Sequence, residues 1–134
     1  MTGLALDASA LVPYLLYRDL GPLVAERLAR HQGRLHLPHL AVVETTSVIG
    51  RLARTNSLSD ERARSALEDL RQFPARRWPA EPLLARVWQL RHSFTAYDAV
   101  YVALAESLGV VLLTHDARLA AAVEQFADCA VELV

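Results

Sequence analysis

The sequence predicts an α/β fold: a three-layer α/β/α domain with a central parallel sheet of four to five strands. Three observations predict it. Short apolar runs at residues 4–6, 34–37, 110–113 and 130–134 alternate with longer segments whose apolar residues recur at helical spacing. Strands separated by helices return in parallel, and a parallel sheet is covered on both faces. The chain has 134 residues, enough to bury one core, and no repeat, low-complexity stretch or linker divides it. Residues 1–134 are therefore read as one domain.

Each element follows from local residue choices. Residues 4–6 form the first strand, and Ser9 can cap a helix running to about Leu16, with Pro13 near its first turn. Gly21-Pro22 opens a second helix that Gly33 closes. Residues 34–37 form a short second strand. Pro38 precedes a helix over 39–54, with Leu40, Val43, Val48, Ile49 and Leu52 facing inward. The next helix starts at Ser59, where Asp60 and Glu61 complement the helix dipole. Its stripe is Ala63, Ala66, Leu67, Leu70 and Phe73, and Pro74 stops it. Residues 75–79 read as a loop or short edge strand, because Pro79 limits pairing. Pro82 starts a helix carrying Leu83, Val87, Trp88 and Leu90, and another runs from about Tyr97 to Leu108, ending at Gly109. Residues 110–113 form a strand, a helix spans about 116–126, and residues 130–134 close the sheet.

Composition narrows the chemistry. All fourteen basic residues are arginine, so any mechanism needing a catalytic or phosphate-binding lysine is excluded, the P-loop included. Hydrophobic residues make up 53% of the chain, which leaves room for a partner surface. No apolar run reaches the roughly 18–20 residues that span a membrane, and no signal-peptide pattern opens the chain. The lone Cys129 reads as a small buried hydrophobe, and the expected compartment is the cytoplasm.

Four carboxylates stand where polar residues have no local reason to be: Asp7, Glu44, Asp98 and Asp116. Asp7 and Asp116 follow strands, and sites in parallel sheets form beyond the carboxyl ends of strands. Each could equally cap the helix that follows it. Capping does not explain Glu44, whose neighbours one turn away are Leu40, Ser47 and Val48. Nor does it explain Asp98, followed at helical spacing by Tyr101, Val102 and Ala105. An arginine salt bridge is the ordinary alternative for both.

Bringing such acids together calls for a cation. Two carboxylates about 4 Å apart repel by roughly 4 kcal/mol at an effective dielectric near 20, so without a cation one would hold a proton. Oxygen-only ligands suit Mg²⁺ or Mn²⁺, whereas zinc wants the histidine or cysteine spacing this chain lacks. Such a site suits phosphodiester hydrolysis. Ser9 and Thr114 can add hydroxyl hydrogen bonds, and Arg76 and Arg77 beside Trp78 are the most suggestive local group for gripping the phosphates of a nucleic-acid substrate. An ordinary solvated loop explains that group as well.

On these residues the sequence resembles the PIN-domain ribonucleases and, within them, the VapC-type toxins of type II toxin–antitoxin pairs. The matching segments are Leu6-Asp7-Ala8-Ser9-Ala10-Leu11-Val12, then Val43-Glu44, Tyr97-Asp98-Ala99-Val100-Tyr101-Val102-Ala103-Leu104-Ala105 and Leu113-Thr114-His115-Asp116-Ala117-Arg118-Leu119. The resemblance covers nearly the whole chain in order. It implies an Mg²⁺- or Mn²⁺-dependent endoribonuclease acting on structured RNA such as tRNA or rRNA, with Asp7, Glu44, Asp98 and Asp116 as the metal-binding acids and Ser9 and Thr114 as supporting hydroxyls. It also implies a homodimer and a cognate antitoxin that covers the site. Some relatives carry a further acid where Arg118 stands here. Three rivals remain: a strand-end aspartate phosphatase, a phospho-acceptor receiver domain, and a catalytically inactive PIN-like module that binds RNA or protein. Ser9 stands where the phosphatase needs a second acid, and the missing lysine weighs against the receiver domain.

Overall fold

The computed structural model describes residues 3–134. Its five strands are β1 (Leu4–Leu6), β2 (Leu35–Pro38), β3 (Arg76–Trp78), β4 (Val111–Thr114) and β5 (Val131–Leu133). They pair in the order β3-β2-β1-β4-β5, all parallel, with Leu4 opposite both Leu35 and Val111. The helices are α1 (Ala8–Leu16), α2 (Gly21–Ala29), α3 (His39–Arg54), α4 (Asp60–Gln72), α5 (Leu84–Gln89), α6 (Ala96–Leu108) and α7 (Ala117–Phe126). A single 3₁₀ turn, Glu81–Leu83, precedes α5.

Strand order fixes where a site can form. The chain builds outward from β1 through β2 to β3, then crosses back to β4 on the other side of β1 and continues to β5. With right-handed crossovers, α1–α4 cover one face and α5–α7 the other. The direction of winding reverses between β1 and β4, and the crevice at that switch point opens beyond their carboxyl ends. Those ends carry Asp7 and Asp116.

The core supports this arrangement. Leu4, Ala5, Leu6, Leu112 and Leu113 are fully buried, as a strand covered on both faces requires. α6 lies across β2, β1 and β4, and its residues from Ala99 to Ala105 are buried without a break. A second cluster of Val12, Leu16, Ile49, Ala63 and Ala66 joins α1, α3 and α4. Among the described residues no helix is long and apolar enough to cross a membrane.

Several boundaries differ from the sequence reading for identifiable reasons. α1 begins at Ala8 and is capped by Asp7, so Pro13 lies inside it rather than in its first turn. α2 stops at Ala29; Gly33, at φ +77°, instead makes the turn into β2. Pro38 belongs to β2, at the register position opposite Trp78, and also caps α3. Val43 is 67% exposed, because α3 packs through Ala41, Thr45 and Ile49 and position 43 falls on the opposite side of the helix. Residues 76–78 form an edge strand after all, and the predicted helix at Pro82 splits into the 3₁₀ turn and a short α5 that leaves Trp88 exposed.

Candidate active site

Asp7 is the most thoroughly held of the four acids. It is buried at the end of β1, with Ser9 Oγ donating to Oδ1 (2.7 Å), Ala10 N–H to Oδ1 (3.2 Å) and Thr114 Oγ1 to Oδ2 (2.6 Å). Both hydroxyls are themselves acceptors. Ser9 Oγ takes the His115 N–H (2.9 Å), and Thr114 Oγ1 takes the Asp116 N–H (3.0 Å). Each hydroxyl thus relays a backbone N–H onto the carboxylate. Their own separation of 3.2 Å is proximity only, since both protons are committed to Asp7. A carboxylate offers about four acceptor positions, so these three donors leave about one open. Burial pushes the Asp7 pKa up; the bonds from Thr114, Ser9 and Ala10 oppose that, and the charge of Asp116 adds to it.

Asp116 follows β4 and caps α7, its Oδ1 accepting from the N–H groups of Arg118 (3.0 Å) and Leu119 (3.2 Å). Capping and placement at the switch point therefore coexist in both strand-end aspartates. Asp98 sits in the first turn of α6, whose cap is Thr95: its Oγ1 accepts the Asp98 N–H (3.1 Å). Burial raises the Asp98 pKa, and Asp116 raises it further, while the Thr95 hydroxyl and Arg118 act in the other direction. Asp98 and Asp116 line one hollow of about 240 Å³ together with Ser93, Phe94, Thr95 and Arg118.

Glu44 reaches the group from α3 through a residue the sequence reading did not assign. The Tyr101 hydroxyl of α6 donates to Glu44 Oε1 at 2.5 Å. Burial pushes the Tyr101 phenol far above its ordinary range, and the hydrogen bond and charge of Glu44 and the charge of Asp7 push the same way. Tyr101 stays a proton donor, with acids on two sides and the Ala8 backbone N–H beside its oxygen. In sequence it was visible only as the helical neighbour of Asp98.

Arg76 and Arg77 lie elsewhere, on edge strand β3, two strands from β1. Arg77 is committed to closing α4: its guanidinium donates to the carbonyls of Leu70 (2.7 Å), Phe73 (2.5 Å) and Ala75 (2.7 Å). The Arg76 guanidinium stacks 4.2 Å over the Trp78 ring.

Linked charges and hydrogen bonds therefore join all four acids, yet among the described residues no three acids, histidines or cysteines converge tightly enough to hold an ion between them. That arrangement still fits Mg²⁺, which keeps several waters and is usually held by one or two carboxylates together with substrate phosphate. The donor set consists of carboxylate and hydroxyl oxygens, and the burial-raised carboxyls are short of positive charge.

The chain has known relatives. The PIN domain profile matches residues 4–124. Ribonuclease VapC1 of Mycobacterium tuberculosis is 41% identical over 117 residues, 87% of each chain. Ribonuclease VapC12 of the same organism is 39% identical over 117 residues, covering 87% of this chain and 89% of its own. Among solved structures, PAE2754 from Pyrobaculum aerophilum superposes with a TM-score of 0.74 at 24% identity, covering 97% of this chain and 83% of that one. FitAcB from Neisseria gonorrhoeae does so at 0.71 and 20%, covering 96% and 95%. These two share the fold. With the profile spanning β1 to α7 and relatives this similar along most of their length, the chain belongs to the PIN-domain family, among its VapC ribonucleases.

Proposed function

We propose that this protein is an Mg²⁺- or Mn²⁺-dependent endoribonuclease, the toxin of a type II toxin–antitoxin pair, which cleaves structured RNA and so arrests translation and growth. The observation that carries the reading is the double relay onto Asp7, which fixes a buried carboxylate with about one acceptor position left open, beside Asp116 at the switch point of the sheet. Asp7, Asp98 and Asp116 would hold the ion, with Glu44 completing the set through Tyr101. A bound divalent ion supplies Lewis-acid polarisation of the phosphate and makes a water more acidic.

The chain's own groups do the rest. Ser9 and Thr114 keep Asp7 oriented, and Thr114 ties Asp116 to the same point through its backbone. Tyr101 fixes the Glu44 carboxylate as an acceptor, placed to orient the attacking water. Two solved structures of the same fold bear on the substrate and the partner. One, 17% identical with a TM-score of 0.67, is the Mycobacterium tuberculosis toxin VapC20, described as cleaving the sarcin–ricin loop. The other, 18% identical with a TM-score of 0.71, is a DNA-bound VapBC complex from Salmonella typhimurium. The first supports a structured RNA substrate here, and the second supports an antitoxin partner. Tyr14, at the rim of a 470 Å³ hollow with Leu28 and Phe73, and the exposed Tyr17 offer an apolar face for that antitoxin.

The purified protein, freed of antitoxin, is expected to cleave RNA with Mg²⁺ or Mn²⁺ and to stop on addition of EDTA. Asp7→Asn and Asp98→Asn should each lower cleavage by about 10³-fold or more, the order of losing a transition-state charge contact, with the circular-dichroism spectrum unchanged. Full activity in both variants would sink the assignment. A wild-type chain that binds RNA but never cuts it would favour the inactive binding module instead.

A further inference from the structure

Arg118 is a cation with no ion pair of its own, although its charge acts on the nearby Asp98 carboxyl. It occupies the first turn of α7, where the helix dipole disfavours positive charge. Its contribution to the Asp116 cap comes from its backbone N–H, which any residue but proline supplies. Its side chain is exposed and, among the described residues, makes no salt bridge, although it lines the same hollow as Asp98 and Asp116. None of the other residues lining that hollow is basic. A guanidinium that opposes its own helix, and that touches the two acids beside it only through its field, has its hydrogen-bonding fork available for an anion brought from outside.

We propose that Arg118 is a substrate-positioning residue, which takes a non-bridging oxygen of the RNA phosphodiester as it enters the acidic hollow. The inference rests on the ribonuclease reading above. Its chemistry is that of a planar fork matched to phosphate, the geometry in which arginine outperforms a point charge. The same fixed charge has a second consequence. It repels a divalent ion approaching Asp98 and Asp116, so it weakens metal binding in the absence of RNA while strengthening RNA binding once the metal is present. The two effects have opposite signs, and a merely structural role moves both in the same direction.

The test uses the full chain with Arg118→Gln and Arg118→Lys. Mn²⁺ affinity without RNA is read by electron paramagnetic resonance, and the KM for a stem–loop oligoribonucleotide that the wild type cleaves is read at saturating Mn²⁺. Arg118→Gln should raise KM about tenfold, the order of one charge-assisted phosphate contact, and reduce the salt dependence of log(kcat/KM) by about one unit of slope. It should also tighten Mn²⁺ binding about threefold, as expected for removing one partly screened like charge. Arg118→Lys should restore the salt slope and only part of the KM. The thermal midpoint of Arg118→Gln should stay within about 2 °C of the wild type, since removing a cation from a helix N-terminus offsets the loss of its charge beside Asp98. An unchanged KM, or Mn²⁺ affinity and RNA affinity falling together, overturns the proposal while wild-type cleavage leaves the ribonuclease reading standing. Wild-type protein that neither binds Mn²⁺ nor acts on RNA overturns both.

Discussion

Asp7 and Asp98 carry the same charge and are perturbed in the same direction, yet they sit in opposite kinds of surroundings. Asp7 is buried at the end of a central strand and receives three donors, two of which are hydroxyls held by backbone N–H groups. Asp98 faces a hollow shared with Asp116 and Arg118, and its own turn is held by a hydroxyl cap on the backbone. The first is an anchor whose geometry is set before anything binds. The second is a mouth whose charge balance is left for incoming ions and substrate to complete. A phosphodiesterase site needs both, since a rigid reference point orients the reaction while an open side exchanges ligands.

The largest effect of breaking this contrast is expected at Thr114, whose side chain bonds to Asp7 and also takes the Asp116 N–H. Thr114→Val keeps the shape and removes both bonds, leaving buried Asp7 Oδ2 and the partly buried Asp116 N–H without their partner. The cost should be about 2–4 kcal/mol in urea unfolding, and kcat/KM should fall about 10–100-fold. Thr95→Val, the matching change on the open side, removes one exposed cap and should cost about 1 kcal/mol. Equal costs at the two positions would show that the anchor and the mouth are not built differently.

A smaller effect is expected where the two regions are joined. Tyr101→Phe removes the hydroxyl that donates to Glu44 and lies beside the Ala8 N–H, and leaves the buried ring in place. Half-buried Glu44 can take a water in exchange, so stability should fall by only about 1 kcal/mol. Activity should fall about tenfold because the carboxylate loses its fixed orientation. Loss of stability without loss of cleavage would make Tyr101 a core residue and remove Glu44 from the site.

How much of this could be read from the chain depends on how far apart the interacting groups lie. Strand and helix order was legible because it rests on local periodicity, and the strand-end positions of Asp7 and Asp116 followed from it. The relay around Asp7 was partly legible, since Ser9 lies two residues away, but its Thr114 half closes over a separation of 107 residues. The Tyr101–Glu44 bond spans 57 residues between two helices, and no spacing rule reaches that far. Val43 went wrong because an apolar residue on an amphipathic helix was assumed to face inward, whereas the small residues Ala41 and Thr45 set the contact face. Arg77 shows the converse. Its residue type suggested phosphate, but the carbonyls it satisfies lie two, four and seven residues before it, so a helix-closing role could have been suspected from Pro74 and the chain reversal it forces.

The smallest effect concerns the charge state of the open side. The Asp98 carboxyl titrates higher in the folded protein than in the unfolded chain, chiefly through burial and then through Asp116. Between those two pKa values the native state binds more protons than the unfolded one, so stability falls as pH rises through that interval and stays lower above it. Asp98→Asn removes that penalty. In EDTA at pH 7 the variant should melt slightly above the wild type, by about 2 °C or less because Asp98 is only partly buried. At about pH 3, where both forms of the carboxyl are protonated, the gap should close. Adding Mn²⁺ at pH 7 should reverse the order, since the ion stabilises the wild type through a ligand the variant lacks. Differential scanning calorimetry at the two pH values, with and without Mn²⁺, measures all three. A variant that melts lower than the wild type in EDTA would mean that the Asp98 carboxylate is already satisfied within the protein, and the mouth would then be a second anchor.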